Sequence, residues 1–479
     1  MKYAVRNYAK TRRARPSAVA GIVAALALSA CSDDDAAEGI ATDASADGGT
    51  SSDATRQDSA LPATDGGSKA DNSMQQEAGE VPDAVPDAAA FDAIAPNSAD
   101  AARDAATIDG PLEGNAADAE TFGGSLLVAT TNLVATEIHT IDLGQRTVSG
   151  PATIPDSDAV LKISDGRRFV LERGNDRVKL LGPTGAITTF DLANDATPRQ
   201  NPHDVVVVPS TSTAFVPLYK TGHIAVLDIT TGTVSGDIDL SSFVGPGDPD
   251  GSPDIDSGVF VPSTGLVYFA LQRININTWP IACPTVPSVL VAIDPTTKTV
   301  VDANGVKSGK AIELDFISPS NLTYDAPTDR ILILANGCDE PTTDGGARRA
   351  YHGIEAVSPK TGYTHIIYSP SAPDFLSQLV LLQGTSALIN SFDSNGAEQW
   401  NRWDLTSATL GPALHEVPAG ATRETADTLL GVSKAVNADG GFAGYDVIRY
   451  RISTGVSSVV VHNPAAAPYS YVSRSALVP

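Results

Sequence analysis

One phrase recurs along the chain and limits what it can fold into. It reads IDLGQRTV at 141–148, LGPTGAI at 181–187, LDITTGTV at 227–234, IDPTTKTV at 293–300, VSPKTGY at 357–363, WDLTSATL at 403–410 and YRISTGV at 450–456. Each copy is a β-like run, a turn of Thr, Ser, Gly or Pro, then a second β-like run. The spacing is about 40–50 residues, stretching to about 65 around the fourth and fifth copies, a range that belongs to propellers and solenoids. The units carry strand alternation and no helical periodicity, which selects the propeller. The expected fold is all-β: a seven-bladed β-propeller over residues 122–479.

The third unit is the clearest. From 201 to 240 it offers four short strands: a valine run at 204–209, an apolar and aromatic stretch at 213–219, and two alternating stretches at 223–229 and 233–240. With Pro202-His203 at its head, a Tyr-ending second strand, a Val-Leu-Asp third strand and a Thr-Gly turn, it resembles the YVTN-type β-propeller repeat. The other copies keep the turn and little else. The resemblance implies architecture alone, because that group includes binding proteins, surface proteins and lactonases. The first unit has only three strands, at 125–130, 137–143 and 147–152, while a spare β run follows the last unit at 469–478. That run is expected to supply the missing inner strand of blade 1 and so close the ring, covering edges that would otherwise aggregate. The inner strand of blade 7 is expected near 422–426.

The N-terminus predicts an address. Residues 1–17 carry Lys2, Arg6, Lys10, Arg12, Arg13 and Arg15 and no acid, and an apolar run too short to span a bilayer follows at 18–30. It ends Leu28-Ser29-Ala30-Cys31, which resembles a bacterial lipobox; the alternative is an ordinary signal peptide cut before a chance cysteine. The resemblance implies a signal peptide at 1–30 and a lipidated Cys31. It implies a lipoprotein of the bacterial cell envelope, with Ser32 favouring the outer membrane over the inner. Residues 31–121 are rich in Asp, Ala, Ser, Gly, Thr and Pro. They cannot bury enough apolar area to offset their ordering entropy, so a disordered acidic tether is expected. The net charge is -25. Such a chain has no electrostatic reason to seek nucleic acid or anionic headgroups, so membrane contact would come through the lipid. A monomer is expected.

Two insertions mark one face. In a four-stranded blade the loops after the second and fourth strands share a face. Blades 4 and 5 carry long inserts after their second strands, RININTWPIACPTVP at 273–287 and CDEPTTDGGARRAY at 338–351. Each holds one of the two cysteines left after Cys31. In an exported chain Cys283 and Cys338 are expected to pair; two free or buried thiols are the alternative. Trp279, Arg348, Arg349, Tyr351 and His352 would crowd the same face as a recognition surface for an envelope protein or glycan, the bland alternative being loops that merely cover the ring. The loop before blade 4 carries Asp248, Asp250, Asp254 and Asp256 around a glycine. Oxygen ligands in that pattern suit Ca²⁺, although the full EF-hand spacing is missing and acidic loops are commonly just solvated.

Signs of catalysis are sparse. There is no nucleophile motif, phosphate loop or HxH or HExxH spacing among the seven histidines. The best enzymatic case gathers Asn201, His203, Asp256, Asn321 and Glu424 at the mouth of the central channel. That is similar to gluconolactonase-type propellers, where a divalent ion polarises a lactone carbonyl. No motif ties these residues together. The primary expectation is therefore a binding protein, with a lactonase-like hydrolase as the alternative.

Overall fold

The computed structural model describes residues 124–478, apart from 132–134, 183–184, 194–199, 246–247, 249, 276–282, 306–308, 342–346, 371–374, 394–397, 437–441 and 464–470. Cys31, Trp279, the expected signal peptide and the expected tether lie outside the described residues. The described residues form seven antiparallel sheets arranged as blades: 159–191, 206–239, 255–313, 319–368, 375–414 and 419–463 for blades 2 to 7, and 125–154 together with 471–478 for blade 1. The outer strand of blade 4 is split, Thr299–Val301 and Ala311–Glu313 both pairing with Val289–Asp294. Blade 5 adds a hairpin of Cys338–Pro341 and Ala347–Ala350 after its second strand. Among the described residues no helix is long and apolar enough to cross a membrane.

The repeated phrase is the outer turn of each blade, and its residues have distinct tasks. Asp228 Oδ1 accepts the backbone N–H groups of Thr230 (2.9 Å) and Thr231 (3.2 Å). Asp294 does the same for Thr296 and Thr297 (2.8 and 3.3 Å), and Asp404 for Thr406 and Ser407 (2.8 and 3.1 Å). Those amides hold all three carboxyls below the ordinary aspartate range. Hydroxyl pairs then cross the turn: Thr231 with Thr233 at 2.9 Å, Thr297 with Thr299 at 2.8 Å, Ser407 with Thr409 at 2.7 Å. The fourth residue after each aspartate takes a left-handed backbone, which glycine adopts at no steric cost. Gly232 sits there at φ 72°, but Lys298 and Ala408 occupy the same position at φ 55° and 54°.

Strand alternation builds the interior. In blade 3, Ala214, Val216 and Leu218 point to one neighbouring blade while Phe215 points to the other. Ile224 and Val226 likewise oppose Ala225 and Leu227. Both faces of these strands are covered, so they read as unbroken apolar runs. The result is one apolar layer for each blade interface, from blades 1 and 2 round to blades 6 and 7. A further layer joins blades 7 and 1, where Leu430, Val432 and Val447 meet Leu126, Val128 and Ile141. This last interface makes the array a closed wheel. Its hydrogen-bonded counterpart is Tyr471–Val478, which pairs antiparallel with Ser125–Thr131 and completes blade 1 as expected. The inner strand of blade 7 is Ala419–Arg423, three residues earlier than the sequence reading, because residues 424–428 form a tight turn closed by Glu424 N donating to Thr428 O at 3.0 Å.

Candidate functional site

The loops that lead into each inner strand share one rim with the loops between second and third strands. That rim at blades 3 to 5 carries a buried polar relay, an aspartate cluster and the disulfide. Its spine is a polar relay across three blades. His203 leads into blade 3 and is shielded from water, its ring stacked on Tyr219 with centroids 4.0 Å apart and planes 6° from parallel. Its Nδ1 meets Asp256 Oδ1 of blade 4 at 2.9 Å. Tyr219 donates its hydroxyl to Gln272 Oε1 at 2.6 Å, and Gln272 Nε2 donates to Pro319 O of blade 5 at 3.0 Å. Burial, and next the charge of Arg173, holds His203 below its ordinary pKa. The ring is therefore neutral near pH 7, with Nδ1–H donating to Asp256. Its Nε2 and the Oδ1 of neighbouring Asn201 are buried without a hydrogen-bond partner.

Asp256 thus belongs to the relay and stands apart from the other aspartates of its loop. Asp254 has a left-handed backbone (φ 52°) just before the strand Ile255–Val261, so the simple i, i+2 rule for side-chain direction does not carry from one to the other. Asp248, Asp250 and Asp254 do converge, with one oxygen from each lying within 4.8 Å of the others. Among the described residues no other group of three acidic, histidine or cysteine side chains is so disposed. Asp254 is fully buried; its Oδ2 accepts the Ile274 N–H at 3.0 Å and its Oδ1 has no partner. Burial, and then the charge of Asp250, pushes its pKa up to about 9. The same two causes raise Asp248 to about 6.

Ile274 connects this cluster to the inserts. It packs with Ile317 against Cys338 and Cys283, which form a disulfide with Cα atoms 4.9 Å apart. The bridge ties the insert of blade 4 to the hairpin of blade 5. Next to that hairpin Gly337 (φ 73°) has no room for a side chain, since a Cβ would lie 2.2 Å from Ala350 O. Tyr351, at the other foot of the hairpin, is held at φ 53° while its side chain is 52% exposed. Its carbonyl accepts the Ile317 N–H at 2.9 Å. Arg348 and Arg349 lie on the returning strand of the hairpin, opposite Glu340 and Asp339 in the backbone register. His352 turns inward and is buried at 6% exposure, so it cannot act as a surface contact.

The residues grouped for catalysis separate. His203 and Asp256 share the relay, and Asn201 lies beside it in sequence with its Oδ1 buried and unpartnered. Asn321 lies half-buried in the inner strand of blade 5 and accepts a hydrogen bond from Thr323 at 3.1 Å. Glu424 follows the inner strand of blade 7 at its far end, on the opposite rim, and is held bidentately by Arg449 at 2.7 and 2.6 Å. The sequence reading missed Tyr219, Gln272 and Arg173 as site residues, and no local motif marks them.

No protein-family model matches the chain, and no curated protein is significantly similar to it. Solved structures with some likeness include the periplasmic gluconolactonase of Pseudomonas aeruginosa, at 15% identity, covering 74% of this chain and 99% of that one, TM-score 0.43. A putative 6-phosphogluconolactonase from Bacteroides uniformis is 13% identical, covering 74% and 99%, TM-score 0.43. Virginiamycin B lyase of Staphylococcus aureus is 12% identical, covering 64% and 90%, TM-score 0.41. Likeness at this level says nothing about this chain's ligand or chemistry, and its fold rests on its own sheet topology.

Proposed function

We propose that the chain is an envelope-anchored lipoprotein whose propeller binds a protein or glycan partner through the rim of blades 3 to 5. One observation carries the reading. Tyr351 is a large aromatic side chain kept half out in solvent by a backbone conformation that bulky residues avoid, at the foot of a hairpin braced by a disulfide. Strain retained at an exposed aromatic is characteristic of a recognition surface, where Tyr is favoured as an anchor. The lipobox-like LSAC at 28–31 supports the anchor. The alternative, a hydrolase at the channel mouth, draws no support from Glu424 and Asn321, whose observed bonds are to Arg449 and Thr323.

Two measurements test this. Immobilised full-length protein is offered envelope extract, and the retained species are compared with those on Tyr351→Ala. We expect saturable retention of a defined component and at least a fivefold loss in the variant, as for a binding anchor; equal retention would refute this surface. Separately, Cys31→Ala should move the protein out of the membrane fraction, and unchanged membrane retention would refute the anchor.

A further inference from the structure

We propose that Asp248, Asp250 and Asp254 bind one calcium ion, which fastens the loop before blade 4 to the base of the disulfide-braced inserts. The inference does not depend on the binding reading above. It starts from the three oxygens that lie within 4.8 Å of one another. Oxygens on opposite sides of a Ca²⁺ ion are about 4.8 Å apart, given metal–oxygen distances near 2.4 Å, so one ion can touch all three. The ligands are hard oxygens without His or Cys, which excludes the softer metals.

A second observation points to the same ion. Asp254 is fully buried, yet its Oδ1 has no hydrogen-bond partner, and both carboxylate oxygens of Asp248 are also shielded from water. Buried acceptors are ordinarily satisfied, and buried charge is ordinarily paired or metal-bound. The charge of Arg273 acts on Asp248, but its Nη1 donates to Pro287 O at 3.0 Å. A single guanidinium would not balance three ionised carboxylates. A divalent ion together with Arg273 would, and it gives the orphaned Asp254 oxygen a partner. Backbone carbonyls and water would complete a coordination shell of 6–8 oxygens, roughly the usual number for Ca²⁺. Because Asp254 Oδ2 also holds the Ile274 amide, and Ile274 packs on Cys338, a bound ion would stiffen the whole rim.

The test uses the full chain, freed of metal by a chelator and titrated with CaCl₂, followed by calorimetry and thermal melting. Asp254→Asn keeps an oxygen for the Ile274 amide but cannot offer an ionised carboxylate to the ion. Asp248→Asn removes a ligand that no backbone group depends on, so it remains informative if the first variant folds poorly. We expect one saturable site in the wild type and a melting temperature about 3–5 °C higher at a hundredfold excess over Kd. Both variants should bind at least tenfold more weakly, while ion-free Asp254→Asn melts no lower than ion-free wild type. Weak binding to the acidic stretch at 32–120 will persist in the variants and defines the background. A wild type without a Ca²⁺-dependent rise, or variants that keep it, would overturn the proposal. Mg²⁺ binding is expected to be at least tenfold weaker, and equal affinity would overturn the assignment to calcium.

Discussion

Replacing both cysteines, Cys283→Ser with Cys338→Ser, should remove a large part of the stability of the ring. The bridge spans 55 residues of sequence. In the chain-entropy treatment a closed loop of that size restrains the unfolded chain by about 14 cal/mol/K, or about 4 kcal/mol at 25 °C. The folded side adds to this. Cys338 is fully buried against Ile274 and Ile317, so a serine there places a hydroxyl in an apolar setting, at a further cost of about 1 kcal/mol. Against a total of about 5–15 kcal/mol for an ordinary domain, such a loss is readily measured. Urea unfolding followed by fluorescence is suitable once Trp279 of the blade 4 insert is replaced by Phe in both proteins, because the remaining Trp400 and Trp403 of blade 6 are both buried and report on the wheel. The midpoint should fall, and added reductant should lower the wild type toward the variant while leaving the variant unchanged. A loss below about 1 kcal/mol, with the wild-type bridge verified by mass spectrometry, would refute the reasoning. It would mean that the inserts open before the ring does, so that the cross-link never restrains the globally unfolded chain.

Three further outcomes follow from the same geometry. Ala408→Gly relieves a left-handed alanine in an exposed outer turn (φ 54°) and should stabilise the protein by about 0.5–1 kcal/mol in the same urea assay; a destabilised variant would contradict the assignment of that turn. Glu355 is buried and its pKa is pushed up to about 7. The folded state therefore binds a proton that the unfolded chain releases near pH 4.5, and stability is lost as the pH rises from about 4.5 through 7, by an amount on the order of 3 kcal/mol. Glu355→Gln should flatten the part of that decline due to this residue, and identical pH 5 to pH 8 melting differences in variant and wild type would exclude it. Deleting 470–479 strips the inner strand from blade 1 and bares the edge of Ser125–Thr131, whose Leu126, Leu127 and Ala129 are buried. Size-exclusion chromatography should then show aggregation, and a monomer with unchanged melting would show that closure is dispensable.

How much of this could be read from the residues alone depended on the range of the interaction involved. The outer turns were legible because every element of them is local: an aspartate accepting amides two and three residues on, a hydroxyl ladder, and a left-handed fourth position. The closure of blade 1 was legible from a deficit at one end and a surplus at the other, and the disulfide from the small number of cysteines. The errors arose where one residue broke a regular pattern. The left-handed backbone at Asp254 separates Asp256 from the other aspartates, and His352, which follows left-handed Tyr351, faces inward. Glu424 was assigned to the wrong rim because the inner strand of blade 7 ends at Arg423 and the glutamate belongs to the turn beyond it. The relay from His203 through Tyr219 to Gln272 joins residues 53 apart in sequence, and no spacing rule reports such a contact.

The pairing of Ser125 with Val478 has a practical corollary. Ser125 opens the second strand of blade 1 and Val478 finishes its inner strand, so both ends of the wheel emerge together on the side away from the disulfide and the aspartate cluster. Anything carried upstream of 124 or downstream of 478 attaches to the back of the disc. A surface coupling, fusion partner or affinity tag placed at either end would leave the insert-bearing side free to meet large ligands. Joining the two ends with a short linker should also permit new termini in any outer turn, since the blades have no structural first or last member.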